Sequence, residues 1–395
     1  MREGVANMKK LALMLLPVPF TVLAPVAHAQ SSVTLYGVID EAFQFVHNAD
    51  AQGNNLYRMQ GGNLQGSRWG LKGTEDLGGG LKAIFQLESG FDINSGTSQQ
   101  GNRLFGRQAF VGLTHQQYGT LTLGRQYDPV VDMVQPLTAD NYWGSTFATP
   151  GDVDNNDNSS RTNNAIKYLS PQFAGFQIEG MYAFGGVAGA TGSQQTWSAA
   201  ASYVTGPFSI AAGYVRMHNA NSTIPRTNWT SSSDGMFDGG FQNLAYETAK
   251  WVGIGSVAVQ YVAGPWTFGG RYSNAQYKAD AQSLFPSNQR YNVAGGFVNY
   301  ALTPASLIGV GYTWTHSAGD TSATYNQVSL GGDYNLSKRT DVYLVGAWQH
   351  ANGTQRVPSA TGSILTTAVA SVADYGLNGS SSSQIMVSLG IRHKF

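Results

Sequence analysis

Apolar and polar side chains alternate with a period of two along most of this chain. In its last segment Ile385, Val387 and Leu389 share one parity, and Ser388 and Arg392 take the other. A period of two places successive side chains on opposite faces of an extended strand, so each such run predicts a β-strand with one apolar face. The sixteen runs begin near Val33, Ser67, Leu81, Arg103, Thr120, Asn163, Phe176, Gln195, Phe208, Tyr246, Trp266, Arg290, Ala305, Ala323, Asp341 and Ser383.

The connections between the runs alternate between short and long. Seven short connections are rich in turn dipeptides such as Ser-Pro and Gly-Pro, whereas eight long ones are rich in Asn, Ser, Thr, Gly and Asp. Barrels of the outer membrane have this asymmetry, with short turns at the periplasmic end and long loops outside. The long connections lie near residues 47–66, 92–102, 127–160, 185–194, 218–245, 278–289, 317–322 and 351–382.

The predicted fold class is therefore all-β, a sixteen-stranded antiparallel transmembrane β-barrel with short periplasmic turns and long extracellular loops. In hydrocarbon every backbone polar group needs an internal partner, so an even-numbered sheet should close and leave no edge. Aromatic residues at the short turns support this prediction, because amphipathic rings favour the boundary between membrane and water. The predicted girdle consists of Tyr168, Phe176, Tyr203, Phe208, Tyr261, Trp266, Tyr334 and Tyr343.

The amino-acid composition argues against a soluble protein, a nucleic-acid partner and cysteine-based sites. Only 12% of the 395 residues are charged, against roughly a quarter in a typical soluble domain. A soluble β-sandwich can also carry tyrosines at strand ends, but sixteen strands would leave it with very little surface charge. Basic and acidic groups balance at 23 each, so no basic surface indicates nucleic acid as a partner. The absence of cysteine excludes a disulfide framework and a cysteine-ligated zinc site.

The amino terminus has the pattern of an export signal. Arg2, Lys9 and Lys10 supply the positive start, residues 11–26 form an apolar stretch, and Ala27 to Ala29 reads as a small-x-small cleavage site. A retained membrane anchor is the alternative, although the apolar run is short for a span of about 20 residues. We expect residues 1–29 to be cleaved and residues 30–395 to form a single barrel domain.

Several motifs together make the chain similar to a known family. They are SVTLYG at 32–37, SRWGLKG at 67–73, EDLGGGLK at 75–82, RQAFVGL at 107–113, TLGR at 122–125 and the terminal Phe395. With these motifs the sequence resembles the general diffusion porins of Gram-negative outer membranes, especially the sixteen-stranded branch of β-proteobacteria and neisseriae. The strand pattern extends the resemblance over the whole chain after the signal.

The resemblance implies a homotrimer of water-filled barrels, each narrowed by an inward-folded third loop, which pass ions and small hydrophilic solutes by passive diffusion. It implies no cofactor and no enzymatic activity. The expected surroundings are outer-membrane lipid and lipopolysaccharide, and the barrel assembly machinery is expected to recognise Phe395 as a signal.

Selectivity in such a channel needs a narrow point with opposed charges. The third long connection, about 127–160, would supply the acidic side, with Asp128, Asp132 and Asp140 as candidates and the last two preferred. Further acids lie at Asp152, Asp154 and Asp157, where the returning end of the loop is expected.

Strand parity indicates the basic side. With Trp69 and Leu71 facing outward, Arg68 and Lys72 point into the lumen, and the same reasoning sends Arg161 and Lys167 inward from the sixth strand. The family's RQAFVGL motif places Arg107 beside them. We expect Arg68, Arg107 and Arg161 to form the basic wall, the alternative being ordinary solvated charges.

Two charged residues depart from the alternation. Arg125 shares parity with apolar neighbours, so it is expected to be buried at an interface or under a loop. Glu41 falls on the outward parity of the first strand, where a carboxylate is costly in lipid. Either the strand bulges near Asp40, or Glu41 lies above the apolar band, or it lies at a subunit contact.

Two further motifs carry less weight. Asp152, Asp154 and Asn156 have calcium-loop spacing, but position six is Asp157 where glycine is required and position twelve is Asn163 where glutamate is required. No metal site is therefore predicted. Residues 253–258 imitate a dinucleotide fingerprint but lie inside a predicted strand without a following helix.

Three other functions compete with diffusion. A barrel enzyme would need a nucleophile elbow or a zinc-binding His-Glu-x-x-His motif, and the sequence has neither. An adhesin would bind through the long Asn/Ser-rich loops and could coexist with transport. A gated transporter would need a large amino-terminal plug, but the first strand begins only a few residues after the signal.

Overall fold

The computed structural model describes residues 32–221, 225–237, 239–359 and 362–395, so the predicted signal peptide lies outside the described residues. Sixteen antiparallel strands form one barrel. They are β1 (Ser32–His47), β2 (in two segments, Leu56–Gly61 and Arg68–Gly78), β3 (Leu81–Gly90), β4 (Gln108–His115), β5 (Gly119–Gln126), β6 (Arg161–Leu169), β7 (Phe176–Ala183), β8 (Thr196–Thr205), β9 (Phe208–His218), β10 (Trp251–Ala263), β11 (Trp266–Lys278), β12 (Gln289–Thr303), β13 (Ser306–Gly319), β14 (Ala323–Asn335), β15 (Thr340–Ser359) and β16 (Ser383–Lys394).

The barrel closes between its first and last strands. β1 pairs with β16 from Val38 opposite Lys394 to His47 opposite Ile385. The remaining strands pair with their neighbours in chain order. Closure removes the exposed sheet edge that hydrocarbon cannot solvate, and it confirms the predicted fold class.

The second strand is interrupted where its chain turns into the lumen. Residues 62–67 separate its two segments, and one carboxylate oxygen of Asp40 accepts hydrogen bonds from the backbone N–H groups of Leu64 and Gln65, both at 2.8 Å. The segment Leu56–Gly61 was expected to be part of the first long connection. Its pairing depends on β1, and no local signal separates it from the polar residues around it.

The outward faces follow the predicted alternation. On β16, Leu389 is 59% exposed whereas Met386 and Ser388 are fully buried. Tyr343 corrects the predicted girdle: it is 2% exposed and points inward, where its hydroxyl donates a hydrogen bond to Asp40. The parity of β15 decides this, because Tyr343 shares the inward face with Val345 and Ala347.

Two strands begin later than their sequence pattern predicts. β4 begins at Gln108 and β10 at Trp251, each five residues after the expected start at Arg103 and Tyr246. Both of these residues belong to long connections and lie outside the barrel strands. Arg103 pairs with Asp234 at 3.1 Å, and Tyr246 is fully buried inside the lumen.

The connections carry little regular structure. The third contains two short helices, α1 (Pro129–Met133) and α2 (Asp140–Trp143), and single 3₁₀ turns at Gln135–Leu137, Gly144–Phe147 and Pro150–Asp152; another lies at Leu244–Tyr246. Strand Ser233–Asp234 of the fifth connection pairs with the start of β6, and Gly362–Thr367 of the eighth pairs with the end of β15. No helix in the described ranges has the length and apolar character needed to cross a bilayer.

The largest apolar core lies inside the barrel. Val130 and Val153 of the third connection and Tyr246 of the fifth pack against wall residues such as Ile254 and Tyr277 of β10 and β11. The hydroxyl of Tyr277 donates to the backbone carbonyl of Val153 at 2.8 Å. This core fills one side of the lumen and leaves the open passage on the side of β2 to β6.

Candidate pore constriction

A cavity of about 1110 Å³ occupies the open side of the lumen. Its walls are formed by β2, β3 and β6, by the second and third connections, and by parts of the fifth and eighth. The basic side chains that line it are Arg58, Arg68, Arg103, Arg107 and Arg161. The acidic side chains that line it are Glu88, Asp92, Asp132, Asp140, Asp157, Asp234 and Asp374.

The third connection folds inward and is fixed to the opposite wall, as expected for the third loop. Trp143 of α2 donates its indole N–H to the Oδ1 atom of Asn299 on β12 at 2.8 Å. Its ring lies against Gly309 and Gly331, where a Cβ atom on either glycine would come within 2.5 Å of the ring. Only glycine allows this close approach, so the buried tryptophan is one of the contacts that hold the loop across the barrel.

The three arginines predicted for the basic wall, Arg68, Arg107 and Arg161, all line the cavity. Glu88 of β3 lies between two of them: its carboxylate accepts from Nε of Arg107 at 2.8 Å and lies 3.7 Å from Nε of Arg68. It also accepts a hydrogen bond from the hydroxyl of Tyr36 at 2.8 Å. Glu88 is 4% exposed, so these contacts hold a buried negative charge.

Tyr127 contacts two of the three arginines, Arg107 and Arg161. The guanidinium carbon of Arg107 lies 5.7 Å from the centre of its ring, and that of Arg161 lies 5.8 Å from it. The Tyr127 hydroxyl accepts from Nη2 of Arg107 at 2.7 Å and donates to Glu88 at 3.1 Å. Aromatic faces attract cations, so one ring orients two arginines.

Two predicted basic residues lie outside the cavity lining. Lys72 lies over the ring of Tyr36, with Nζ 5.3 Å from its centre. Lys167 is ion-paired with Asp132 of the third connection and, at 3.3 Å, with Glu179 of β7. Strand parity predicts which way a side chain faces but not its height within the barrel.

Of the three predicted acids, two line the cavity and one does not. Asp132 and Asp140 line the cavity, whereas Asp128 is 3% exposed and caps α1, where its Oδ1 atom accepts from the backbone N–H of Val130 at 2.9 Å. Proline at the first position of α1 and an aspartate before it are typical of a helix start.

Asp140 and Asp157 form a carboxyl pair in the cavity wall. Their carboxyl groups lie close enough to interact electrostatically, and the Oδ2 atom of Asp140 accepts a hydrogen bond from Gln135. Burial raises the pKa of Asp140 to about 6. Burial and the neighbouring charge of Asp140 raise the pKa of Asp157 well above its ordinary value. Because two adjacent carboxylates repel each other, the pair retains a proton under conditions in which exposed aspartates are ionised.

The residues with calcium-loop spacing have separate partners. Asp152 accepts from the backbone N–H groups of Asp157 and Ser159 at 3.0 and 3.1 Å, and Asp154 pairs with Arg271 of β11 at 2.6 Å. Within the described ranges no group of three or more His, Cys, Asp or Glu side chains could hold a metal ion.

Arg125 is buried under a loop, one of the two expected alternatives, and the loop is the fifth connection. The Nη1 and Nη2 atoms of Arg125 each donate to the carboxylate of Asp234 at 3.0 Å.

Glu41 faces outward, and the pairing of β1 with β16 runs through Asp40 without a bulge. Asn94 of the second connection donates to Glu41 at 3.2 Å, so this carboxylate has a polar partner on the outer face.

Phe395 completes the barrel seam. Its backbone N–H and carbonyl pair with those of Gly37 at 3.0 and 3.1 Å. Its ring lies where a Cβ atom on Gly37 would be 2.3 Å away.

Sequence reasoning did not single out Glu88, Tyr127, Arg58, Arg103, Asp234 or Asp374 as lining or organising this cavity. A signal was available for Glu88, because its parity on β3 directs an acid toward the inward arginines. The contributions of Arg103, Asp234 and Asp374 depend on loop conformations that only long-range contacts determine.

Comparison with known proteins agrees with this architecture. A family described as Gram-negative porin matches residues 12–354. An outer membrane porin protein of Bordetella pertussis is 32% identical over 82% of this chain and 90% of its own length, and a major outer membrane protein of Neisseria meningitidis is 30% identical over 86% and 94%. Among solved structures, an anion-selective porin from Comamonas acidovorans superposes with a TM-score of 0.69 at 23% identity, covering 93% of this chain and all of that one. These relatives are channel proteins rather than enzymes. The chain therefore belongs to the Gram-negative porin family and is an outer-membrane β-barrel for the passive diffusion of ions and small hydrophilic solutes.

Proposed function

We propose that the constriction of this porin favours small anions, with the arginines of β2, β6 and the second connection opposite the acids of the third loop. The observation that carries this proposal is the state of Arg58 and Arg161. Both line the cavity, and neither makes an ion pair within the described part of the chain. Each also has one buried guanidinium nitrogen without a hydrogen-bond partner. An unpaired, permanently charged guanidinium attracts a passing anion.

Three of the carboxylates around the cavity, in contrast, have positively charged partners. Glu88 is paired with Arg107, Asp132 with Lys167, and Asp234 with Arg103 and Arg125. Burial raises the pKa of Asp140 to about 6 and that of Asp157 well above its ordinary value, whereas the arginines remain charged. Arg58 and Arg161 therefore face the passage as positive charges without a paired carboxylate among the described residues, and Asp92 and Asp374 are the remaining acids of its lining.

Reversal potentials in a salt gradient test the proposal. The wild-type channel should show anion preference, and replacing Arg58 and Arg161 together with serine should shift the potential toward cations. Lys338→Ser is the matched control, because this exposed lysine lies in a short turn away from the cavity. A cation-preferring wild type, or an unchanged potential in the double variant, would refute the proposed role of these arginines.

We further propose that three copies assemble. Glu41 supports this proposal, because a carboxylate on the outer face of β1 is costly in lipid and needs a polar contact such as a neighbouring subunit supplies. One structural relative, an outer membrane protein of Vibrio cholerae with a TM-score of 0.63, is described in its trimer form. Conductance steps in groups of three would support the proposal, and stable single steps would contradict it.

The remaining partners are also proposals. Outer-membrane lipid and lipopolysaccharide would surround the apolar face, and the barrel assembly machinery would recognise Phe395. Charge and aromatic placement support a membrane environment, since exposed side chains such as Leu389 and Trp266 cover the outer face.

A further inference from the structure

The eighth long connection returns into the barrel after it has left β15. Beyond the pairing of β15 with Gly362–Thr367, the backbone N–H of Ala370 donates to the carbonyl of Ser381 at 2.9 Å, and that of Gly379 donates to the carbonyl of Ala370 at 3.0 Å. These two bonds close the base of a compact segment formed by residues 371–378, which we call the lumen lobe.

Inward-facing glutamines of the wall hold the backbone of the lumen lobe. Gln349 of β15 accepts from the N–H of Ser371 at 2.8 Å and donates to its carbonyl at 2.9 Å. Gln384 of β16 accepts from the N–H of Val372 at 2.6 Å and donates to the carbonyl of Leu377 at 2.8 Å. Both glutamines are at most 1% exposed. Moving the lobe away would break the hydrogen bonds of these buried amides, which is unfavourable unless new partners replace them.

An apolar contact adds to this attachment. Val372 and Ala373 are fully buried in a cluster with Val46, Ala347 and Met386, which face the lumen from β1, β15 and β16. Because its backbone and its apolar side chains both contact the wall, the lobe forms part of the lumen lining.

The tip of the lobe reaches the other walls of the passage. The carbonyl of Ala373 accepts from the N–H of Gly151 in the third connection at 2.8 Å. The hydroxyl of Tyr375 donates to Asn63 of the interrupted second strand at 3.1 Å, and the guanidinium carbon of Arg58 lies 5.6 Å from the centre of its ring. Asp374 and Tyr375 both line the cavity.

We propose that the lumen lobe is a second constriction segment beside the third loop, with Tyr375 limiting the width of the passage and Asp374 its charge. The inference rests on the channel function and deepens it, because it assigns part of the solute selectivity to the eighth connection.

Single-channel conductance of the full chain tests the width. In one variant two glycines replace residues 371–378 and join Ala370 to Gly379, which already contact each other. We expect conductance to rise roughly 1.5-fold or more, because current scales with the open cross-section, and we expect larger sugars to enter liposomes faster. The matched control removes residues 187–191 of the fourth connection, none of which lines the cavity, and should leave conductance unchanged.

Two point variants keep the test decisive if the deletion fails to assemble. Tyr375→Ala should raise conductance, and Asp374→Asn should shift the reversal potential further toward anions. Asp50→Asn removes the same charge from a loop outside the cavity and should shift nothing. Unchanged conductance in Tyr375→Ala together with an unchanged potential in Asp374→Asn would overturn the proposal. A wild-type protein without any conductance would instead contradict the channel function itself.

Discussion

The indole ring of Trp143 lies against the backbone of Gly331, at a point where a Cβ atom on the glycine would come 2.3 Å from the ring. This contact joins the third loop to β14, almost two hundred residues further along the chain. The same side chain contacts Gly309 of β13, so the tryptophan packs against glycines of two adjacent strands. Loop position in this porin thus depends on the absence of two side chains from the wall.

Gly331→Val should displace Trp143 and loosen the third loop. Overpacking of this kind costs about 1–3 kcal/mol in the free energy of unfolding. We expect a lower thermal unfolding midpoint and increased open-channel noise in bilayer recordings. Gly332→Val is the matched control, because a Cβ atom there meets nothing within 4 Å. Equal unfolding midpoints and equal channel noise in the two variants would show that the contact between Trp143 and Gly331 does not hold the loop.

The carboxyl pair Asp140 and Asp157 should make selectivity depend on pH. Burial raises the pKa of Asp140 to about 6, so acidification from pH 8 to pH 5 removes negative charge from the loop wall. We expect the anion-to-cation permeability ratio to rise by roughly twofold over this range. Asp140→Asn should flatten the dependence, whereas Asp50→Asn should retain it. A wild-type ratio that is constant between these pH values would contradict the assignment.

The same pair should affect stability with a definite sign. An unfolded aspartate titrates near about 3.9, whereas burial raises the pKa of Asp140 to about 6 in the fold. The folded chain therefore binds more protons between these values. The stabilisation is fully present below about pH 4 and is lost as the pH rises through about 6. Denaturation midpoints at pH 4 and pH 8 should differ accordingly, and the difference should shrink in Asp140→Asn.

Removing the acid at the centre of the arginine wall should increase anion preference. Glu88→Gln keeps the shape of the side chain but leaves Arg107 and Arg68 without their carboxylate partner. We expect the reversal potential to shift toward anions and the free energy of unfolding to fall by roughly 1–3 kcal/mol. Glu75→Gln, at the exposed periplasmic end of β2, serves as the control. An unchanged reversal potential would mean that Glu88 does not act on the permeating ions.

Deleting Phe395 should lower the amount of assembled barrel without changing the conductance of the channels that form. Its pairing with Gly37 closes only the last step of the seam between β1 and β16, so the lumen is untouched. Heat-modified mobility on gels measures assembly, and planar bilayers measure conductance. Replacing Phe395 with Tyr should preserve most of the assembly, and normal assembly of the deleted chain would count against its proposed signal function.

The local pattern of the sequence was sufficient for most of the strands and for the direction in which several basic side chains face. Period-two alternation depends only on which residues stand next to each other, and it correctly directed Arg68 and Arg161 into the lumen. It could not reveal that Lys72 lies outside the cavity lining or that Asp128 caps a helix. Those outcomes depend on height within the barrel and on loop conformation.

Tertiary structure alone decided how the lumen is filled. The break in β2 depends on Asp40 binding Leu64, and the lumen lobe depends on Gln349 binding Ser371. Each contact joins residues more than twenty positions apart, and an isolated segment has no preference for such a partner. A closed, lipid-facing cylinder follows from alternation because hydrocarbon demands paired backbone groups, whereas the shape of the passage follows from buried polar groups that find their partners only after the barrel has closed.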